Sequence, residues 1–123
     1  MGKFVIKEVK TGFKFDLKAG NGEVIATSEV YTTEAACKKG IESVVKNAAV
    51  AGVEDQTVEG FEKVKHPKFE MYEDNAGEFR FRLKATNGEV IATSEGYKAK
   101  ASCKNGIESV VKNAADAEVV KAE

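Results

Sequence analysis

Tryptophan is absent from this chain of 123 residues, proline and histidine occur once each, and cysteine occurs twice. Each scarcity excludes something. A lone His66 leaves imidazole-built metal centres and Ser–His or Cys–His nucleophile pairs almost nothing to draw on. Two cysteines are too few for a disulfide scaffold at this length. An excess of one charge is missing as well. Lys and Arg total 19 against 20 Asp and Glu, a net charge of -1, so no long-range field draws nucleic acid or an anionic membrane. No apolar run is long enough to cross a bilayer. The opening Met1-Gly2-Lys3-Phe4-Val5-Ile6 lacks the apolar region and cleavage site of a signal peptide. Ile6 also stands where a myristoylation signal has Ser or Thr. A cytoplasmic location is the expectation.

What the chain has is a repeat. Asn21-Gly22-Glu23-Val24-Ile25-Ala26-Thr27-Ser28-Glu29 recurs unchanged from Asn87 to Glu95, and Gly40 through Ala49 recurs as Gly106 through Ala115. Across 21–49 the offset is 66 and 23 of 29 positions are identical, the six differences falling at 30, 32, 33, 34, 36 and 39. Upstream, Phe13, Phe15 and Leu17 align with Phe79, Phe81 and Leu83, while the first strands, from Phe4 and from Phe69, differ by a one-residue insertion. The reading is a single domain over 1–123. Repeat 1 covers about 3–58, a charged linker holding the proline covers about 59–67, and repeat 2 covers about 68–121.

Each copy reads as strand, strand, strand, helix. Glu78-Phe79-Arg80-Phe81-Arg82-Leu83-Lys84 alternates polar and apolar, the period of a half-buried strand, as do Phe13 to Lys18. Asn21-Gly22 and Asn87-Gly88 signal type I′ hairpin turns with positive φ at both residues. That two-residue turn pairs Leu17 with Ala26 and Phe15 with Ser28 on the core face. It pairs Lys18 with Ile25, Asp16 with Thr27 and Lys14 with Glu29 on the other. Cys37, Ile41, Val44, Val45 and Ala48 then draw one helical stripe, repeated from Cys103 to Ala114. The cysteines on that stripe read as buried free thiols. Thr32 is the expected cap of the first helix, with Lys98 a weaker counterpart. Gly40 and Gly106 inside the helices, each costing about 1 kcal/mol against alanine, suggest close approach to the sheet. Fourth strands are expected near Gly52 to Val58 and over Glu118 to Lys121.

The Asn-Gly-Glu-Val-Ile-Ala-Thr-Ser-Glu hairpin, the tyrosine two residues on and the Gly-Ile-Glu-Ser-Val helix resemble the YegP-like family of small bacterial proteins, in both copies. The resemblance implies an α+β fold of tandem β-β-β-α(-β) units in one antiparallel sheet with two helices, with C-terminal strands exchanged. It implies no catalytic residues and no cofactor.

The search for chemistry is brief. No metal-ligand spacing and no nucleotide-binding glycine loop occurs; Ala19-Gly20-Asn21-Gly22 is explained as a turn. Glu42 and Glu108 could approach across a pseudo-twofold axis, although an exposed helix face explains both. The surviving reading is a non-enzymatic binding or accessory module. The candidate surface is the helix-free sheet face with Lys14, Lys18, Ile25, Arg80, Arg82, Lys84 and Ile91; Tyr31 and Tyr97 are possible additions. A protein partner is the leading expectation. Single-stranded nucleic acid is the alternative, weakened because Phe13, Phe15, Phe79 and Phe81 point to the core. A small ligand between the halves is third. The expected state is a monomer with internal pseudo-twofold symmetry and no membrane contact.

Overall fold

The alternating apolar residues of each copy become strands whose phenylalanines face two helices. In the computed structural model, which describes residues 2–122, repeat 1 forms β1 (Lys3–Val9), β2 (Gly12–Lys18), β3 (Val24–Thr27), α1 (Glu34–Ala48) and β4 (Gly52–Asp55). Repeat 2 forms β5 (Lys68–Glu73), β6 (Phe79–Lys84), β7 (Val90–Thr93), α2 (Lys100–Ala114) and β8 (Glu118–Lys121). All eight strands make one sheet in the order β4-β5-β6-β7-β3-β2-β1-β8. The first repeat's fourth strand thus borders the second repeat, and the second repeat's fourth strand borders the first, which is the expected exchange.

The sheet is mixed, a correction to the antiparallel expectation. The exchanged strands run parallel to their neighbours, Val119 beside Phe4 and Val53 beside Phe69. The cause is the oblique path of the helices. At its start α1 lies beside β8, where Glu34 meets Lys121. It packs across β2, β7, β6 and β5, and near its end Asn47 Oδ1 accepts a hydrogen bond from Thr86 Oγ1. Each helix therefore delivers its chain to the far edge, and the strand that follows runs alongside the other repeat's first strand. At the centre of the sheet the halves meet at a thin seam, a single β3–β7 pair of Thr27 with Thr93.

Both hairpins depart from the expected turn. Gly22 N–H bonds Ala19 O and Ala19 N–H bonds Glu23 O, so the loop is longer than two residues. Only Gly22 takes positive φ (87°); Asn21 instead uses its side chain to accept the Glu23 N–H. This shifts the register. Asp16 still faces Thr27 and Leu17 faces Ala26, but Lys18 faces Val24 and Ile25 becomes the extra residue of a bulge. The bulge swings Ile25 toward the helices. Ile25 and Ile91, expected on the open face, are buried in the core at 7% and 6% exposure.

Under the helices, Phe4, Phe15, Phe69, Phe81, Leu17 and Leu83 are wholly buried, each stabilising by roughly 1.5–3 kcal/mol. Both cysteines are buried and free, as expected. Tyr31 stacks on Phe15 and Tyr97 on Phe81. Each tyrosine hydroxyl sits where the Cβ of an alanine at Gly40 or Gly106 would fall. The glycines therefore admit a tyrosine between helix and sheet. The cap of α1 is Thr33 rather than Thr32: its Oγ1 accepts the Ala36 N–H at 3.0 Å. Its counterpart Ala99 makes no side-chain cap, so the asymmetry between copies stands, one residue along from where it was expected.

Candidate functional site

The helix-free face differs sharply between the halves. In repeat 2, Arg80, Arg82 and Lys84 do share one face, but none is unpaired. Arg80 Nε meets Asp74 Oδ2 at 2.6 Å, Arg82 Nε meets Glu70 Oε1 at 2.6 Å, and Lys84 Nζ meets Glu70 Oε2 at 3.1 Å. Arg82 also lies over the Tyr72 ring, 4.7 Å from its centre. Behind them Lys68 joins Glu54 at 2.8 Å and Glu70 at 3.2 Å, all three nearly inaccessible. Two further donors close this network from outside: Gln56 Nε2, just past β4, and the Val64 N–H of the linker both donate to Glu54. Burial would raise the Glu54 carboxyl, yet the bonds from Lys68, Gln56 and Val64 outweigh it and hold the pKa at about 2. The stripe that looked like an open cationic surface is thus the rim of an internal charge network.

In repeat 1 the equivalent face is built on aliphatics. Val5, 8% exposed, takes the place of Glu70, and Val120 takes that of Glu54. Lys7 pairs with Asp16, whereas Lys14 and Lys18 make no ion pair among the described residues. At the seam, Lys14 and Arg80 flank a shallow hollow floored by Thr27 and Thr93.

A larger depression lies at the sheet's edge. Between α1 and β8 runs an open groove of about 630 Å³, with Ile6, Ile41 and Val119 as floor and Lys38, Lys39 and Lys121 on the rim. Its pseudo-symmetric mate between α2 and β4, with Val53, Met71 and Ile107, measures about 390 Å³. Glu42 lines the first groove and Glu108 the second, so the two carboxylates are not brought together. β8 leaves one side unpaired. Glu118 N–H bonds Gly2 O and Ala122 N–H bonds Ile6 O. By the two-residue strand period the N–H and C=O groups of Val119 and Lys121 then point outward.

Chemistry elsewhere is muted. Burial raises both thiols, Cys103 to about 11 with the Asp55 charge adding to the effect, so neither is a ready nucleophile. Burial likewise raises the Tyr31 and Tyr97 hydroxyls, which belong to packing under the helices. Among the described residues no three metal-type ligands cluster, and no helix is long and apolar enough to cross a membrane.

Sequence reasoning missed Glu54, Lys68, Glu70 and Asp74. A signal existed: Lys68 and Glu70 alternate with Phe69 and Met71, and the one-residue insertion of repeat 2 falls beside Asp74. That insertion builds a turn in which Asp74 accepts the Ala76 and Glu78 N–H groups while holding Arg80.

Two copies of one unit, with edge strands exchanged, set the terms for comparison. The family model described as a domain of unknown function, DUF1508, matches this chain twice, over residues 10–55 and 74–120. The chain belongs to the DUF1508 family. Among relatives of this chain, the UPF0339 protein YegP of Yersinia pestis is 37% identical over 92% of this chain and 88% of its own length. A UPF0339 protein from the 5′ region of the ptx operon of Stutzerimonas stutzeri is 40% identical over 98% and 96%. The solution NMR structure of Escherichia coli YegP, described as a protein of unknown function, superposes with a TM-score of 0.79 at 34% identity, covering 98% of this chain and 91% of that one. Shorter relatives match about half of the chain: a UPF0339 protein of Treponema denticola is 65% identical over 44% of this chain and 93% of its own length.

Proposed function

We propose that this DUF1508 protein is a non-enzymatic binding module that takes an extended, acidic polypeptide segment along β8. The observation that carries the reading is the free edge of β8 beside an apolar groove. An added strand would bond to the outward groups of Val119 and Lys121, and alternate apolar side chains would enter the groove over Ile6 and Ile41. The rim favours an acidic segment. Lys38 and Lys121 share Glu34, at 3.3 and 2.9 Å, which leaves Lys39 without an acid partner among the described residues. The mate groove has Asn105 at that position. Nucleic acid fits less well, since the strand rings lie under the helices and repeat 2's cations are paired.

Val119→Pro tests the reading. It removes one outward N–H and leaves the bonds to β1 intact, as edge prolines do. Peptides selected from a random library by the parent chain are expected to carry acidic and apolar residues. They should bind Val119→Pro at least tenfold more weakly while its melting temperature is kept. Equal binding to both chains would remove the strand-addition reading. Salt-sensitive binding of single-stranded DNA, lost in Lys14→Glu/Lys18→Glu, would replace it with the nucleic-acid one.

A further inference from the structure

Beyond any external partner, the two repeats are fitted to each other and unfitted to themselves. The exchanged strands occupy equivalent sockets. Val119, Val120 and Lys121 sit against Phe4, Val5 and Ile6, as Val53, Glu54 and Asp55 sit against Phe69, Glu70 and Met71. The helix residue facing the end of each strand is also equivalent, Glu34 on α1 and Lys100 on α2. Yet the charges are reversed. Glu34 meets Lys121 at 2.9 Å, and Lys100 meets Asp55 at 2.7 Å.

The opposite side of the same strands repeats the lesson with different chemistry. Val120 lies beside Val5, whereas Glu54, 2% exposed, lies beside Glu70 and is held by Lys68. Thus repeat 1's socket is an acid on the helix side and a valine outside, and it receives Lys121 and Val120. Repeat 2's socket is a lysine on the helix side and a lysine-centred network outside, and it receives Asp55 and Glu54.

We infer that these sockets specify heterotypic pairing: repeat 1 is complementary to a repeat 2 and rejects another repeat 1. Pairing two copies of repeat 1 sets Glu34 against Asp55 and drops Glu54 onto Val5, where an exposed Lys3 stands at the position of the buried Lys68 and no Glu70 bridges it. Pairing two copies of repeat 2 sets Lys100 against Lys121 and places Val120 over Lys68, which then loses Glu54 and keeps only Glu70. Folding each fourth strand back onto its own half creates the same clashes. Like charges facing one another and a buried charge network left short of a member are ordinary means by which interfaces exclude wrong partners. The duplicated halves are therefore no longer interchangeable, although the helix stripe and hairpin that build the fold remain almost identical.

The test uses the full chain. Glu54→Val, Asp55→Lys, Val120→Glu and Lys121→Asp together transpose the two strand codes without changing composition or net charge. Each repeat then matches another copy of itself. The transposed chain is expected to lose stability by more than about a hundredfold in its unfolding constant, or to shift toward a two-chain assembly in light scattering at concentrations where the parent's mass is constant. A transposed chain with the parent's stability and mass overturns the inference. Double-mutant cycles on Glu34→Ala/Lys121→Ala and Lys100→Ala/Asp55→Ala are run beside it in the parent, where folding is assured. Each is expected to show favourable coupling of about two- to fivefold in the unfolding constant. Absence of coupling in both cycles also overturns it.

Discussion

The outer face of repeat 2 is a charge network closed by the linker; the outer face of repeat 1, on the same backbone, is a pair of valines fringed by lysines. Beneath both lies the same helix packing. The comparison teaches that this fold is fixed from the helix side, where Phe15 and Phe81, Cys37 and Cys103, and Tyr31 and Tyr97 repeat one another. The other face need only be self-consistent. Glu70 is tolerated where Val5 stands because Lys68, Arg82 and Lys84 surround it. Each solution is whole; a mixture of the two is not.

Breaking one solution should therefore cost more than exchanging it. Lys68→Ala leaves Glu54 and Glu70 buried without their shared cation, and about 3 kcal/mol of stability should be lost in urea unfolding. Replacing Glu54, Lys68 and Glu70 together by aliphatics, as repeat 1 has at two of these places, should leave stability near or above the parent's. A triple variant as damaged as the single one would show that the network is more than an equivalent of the valines.

Next in size is the shared side. Gly40→Ala should cost about 1–3 kcal/mol by pressing on Tyr31. Tyr31→Phe in the same chain should restore part of it by removing the hydroxyl, and thermal melts of the pair check this.

Acid should separate the halves further. The Glu54 carboxyl, folded at about 2, and that of Asp55, also about 2, lie below their ordinary values of 4.5 and 3.8. For Asp55 as for Glu54, burial opposes the shift, and hydrogen bonds from Lys100 and Thr57 overcome it. The stability they contribute is complete above the ordinary values and is lost as pH falls from about 4.5 toward 2. In Glu54→Val the urea midpoint should fall less steeply across that window than in the parent. The smallest effect concerns the caps. Ala99→Thr gives α2 the cap that Thr33 gives α1 and should add about 0.5–1 kcal/mol, read from the melting temperature.

Much of this architecture was legible in the sequence because the repeat showed each pattern twice. The Phe13-Phe15-Leu17 alternation and the helix stripe from Cys37 to Ala48 follow from periodicity, whereas the place of β8 came from the family resemblance. Ile25 and Ile91 did not, because Val-Ile-Ala-Thr fits either register of a hairpin and a bulge one residue wide decides which side chain turns inward. The mixed sheet escaped because strand direction depends on where an oblique helix ends, which no local pattern encodes. Of the candidate surface, Arg80, Arg82 and Lys84 fell on the expected face. Their neutralisation depended on Glu70 of β5 and Asp74 of the turn that follows it, so alternation alone could not reveal it.

The strand exchange also orders events during synthesis. β1 leaves the ribosome first and β8 last, yet the two are neighbours, so the half translated earliest must wait for the final strand before its border is filled. Until then Val5 and Ile6 lack their cover, and early folding of repeat 1 gains little from its head start. Both halves reach their finished form together, on completion of β8.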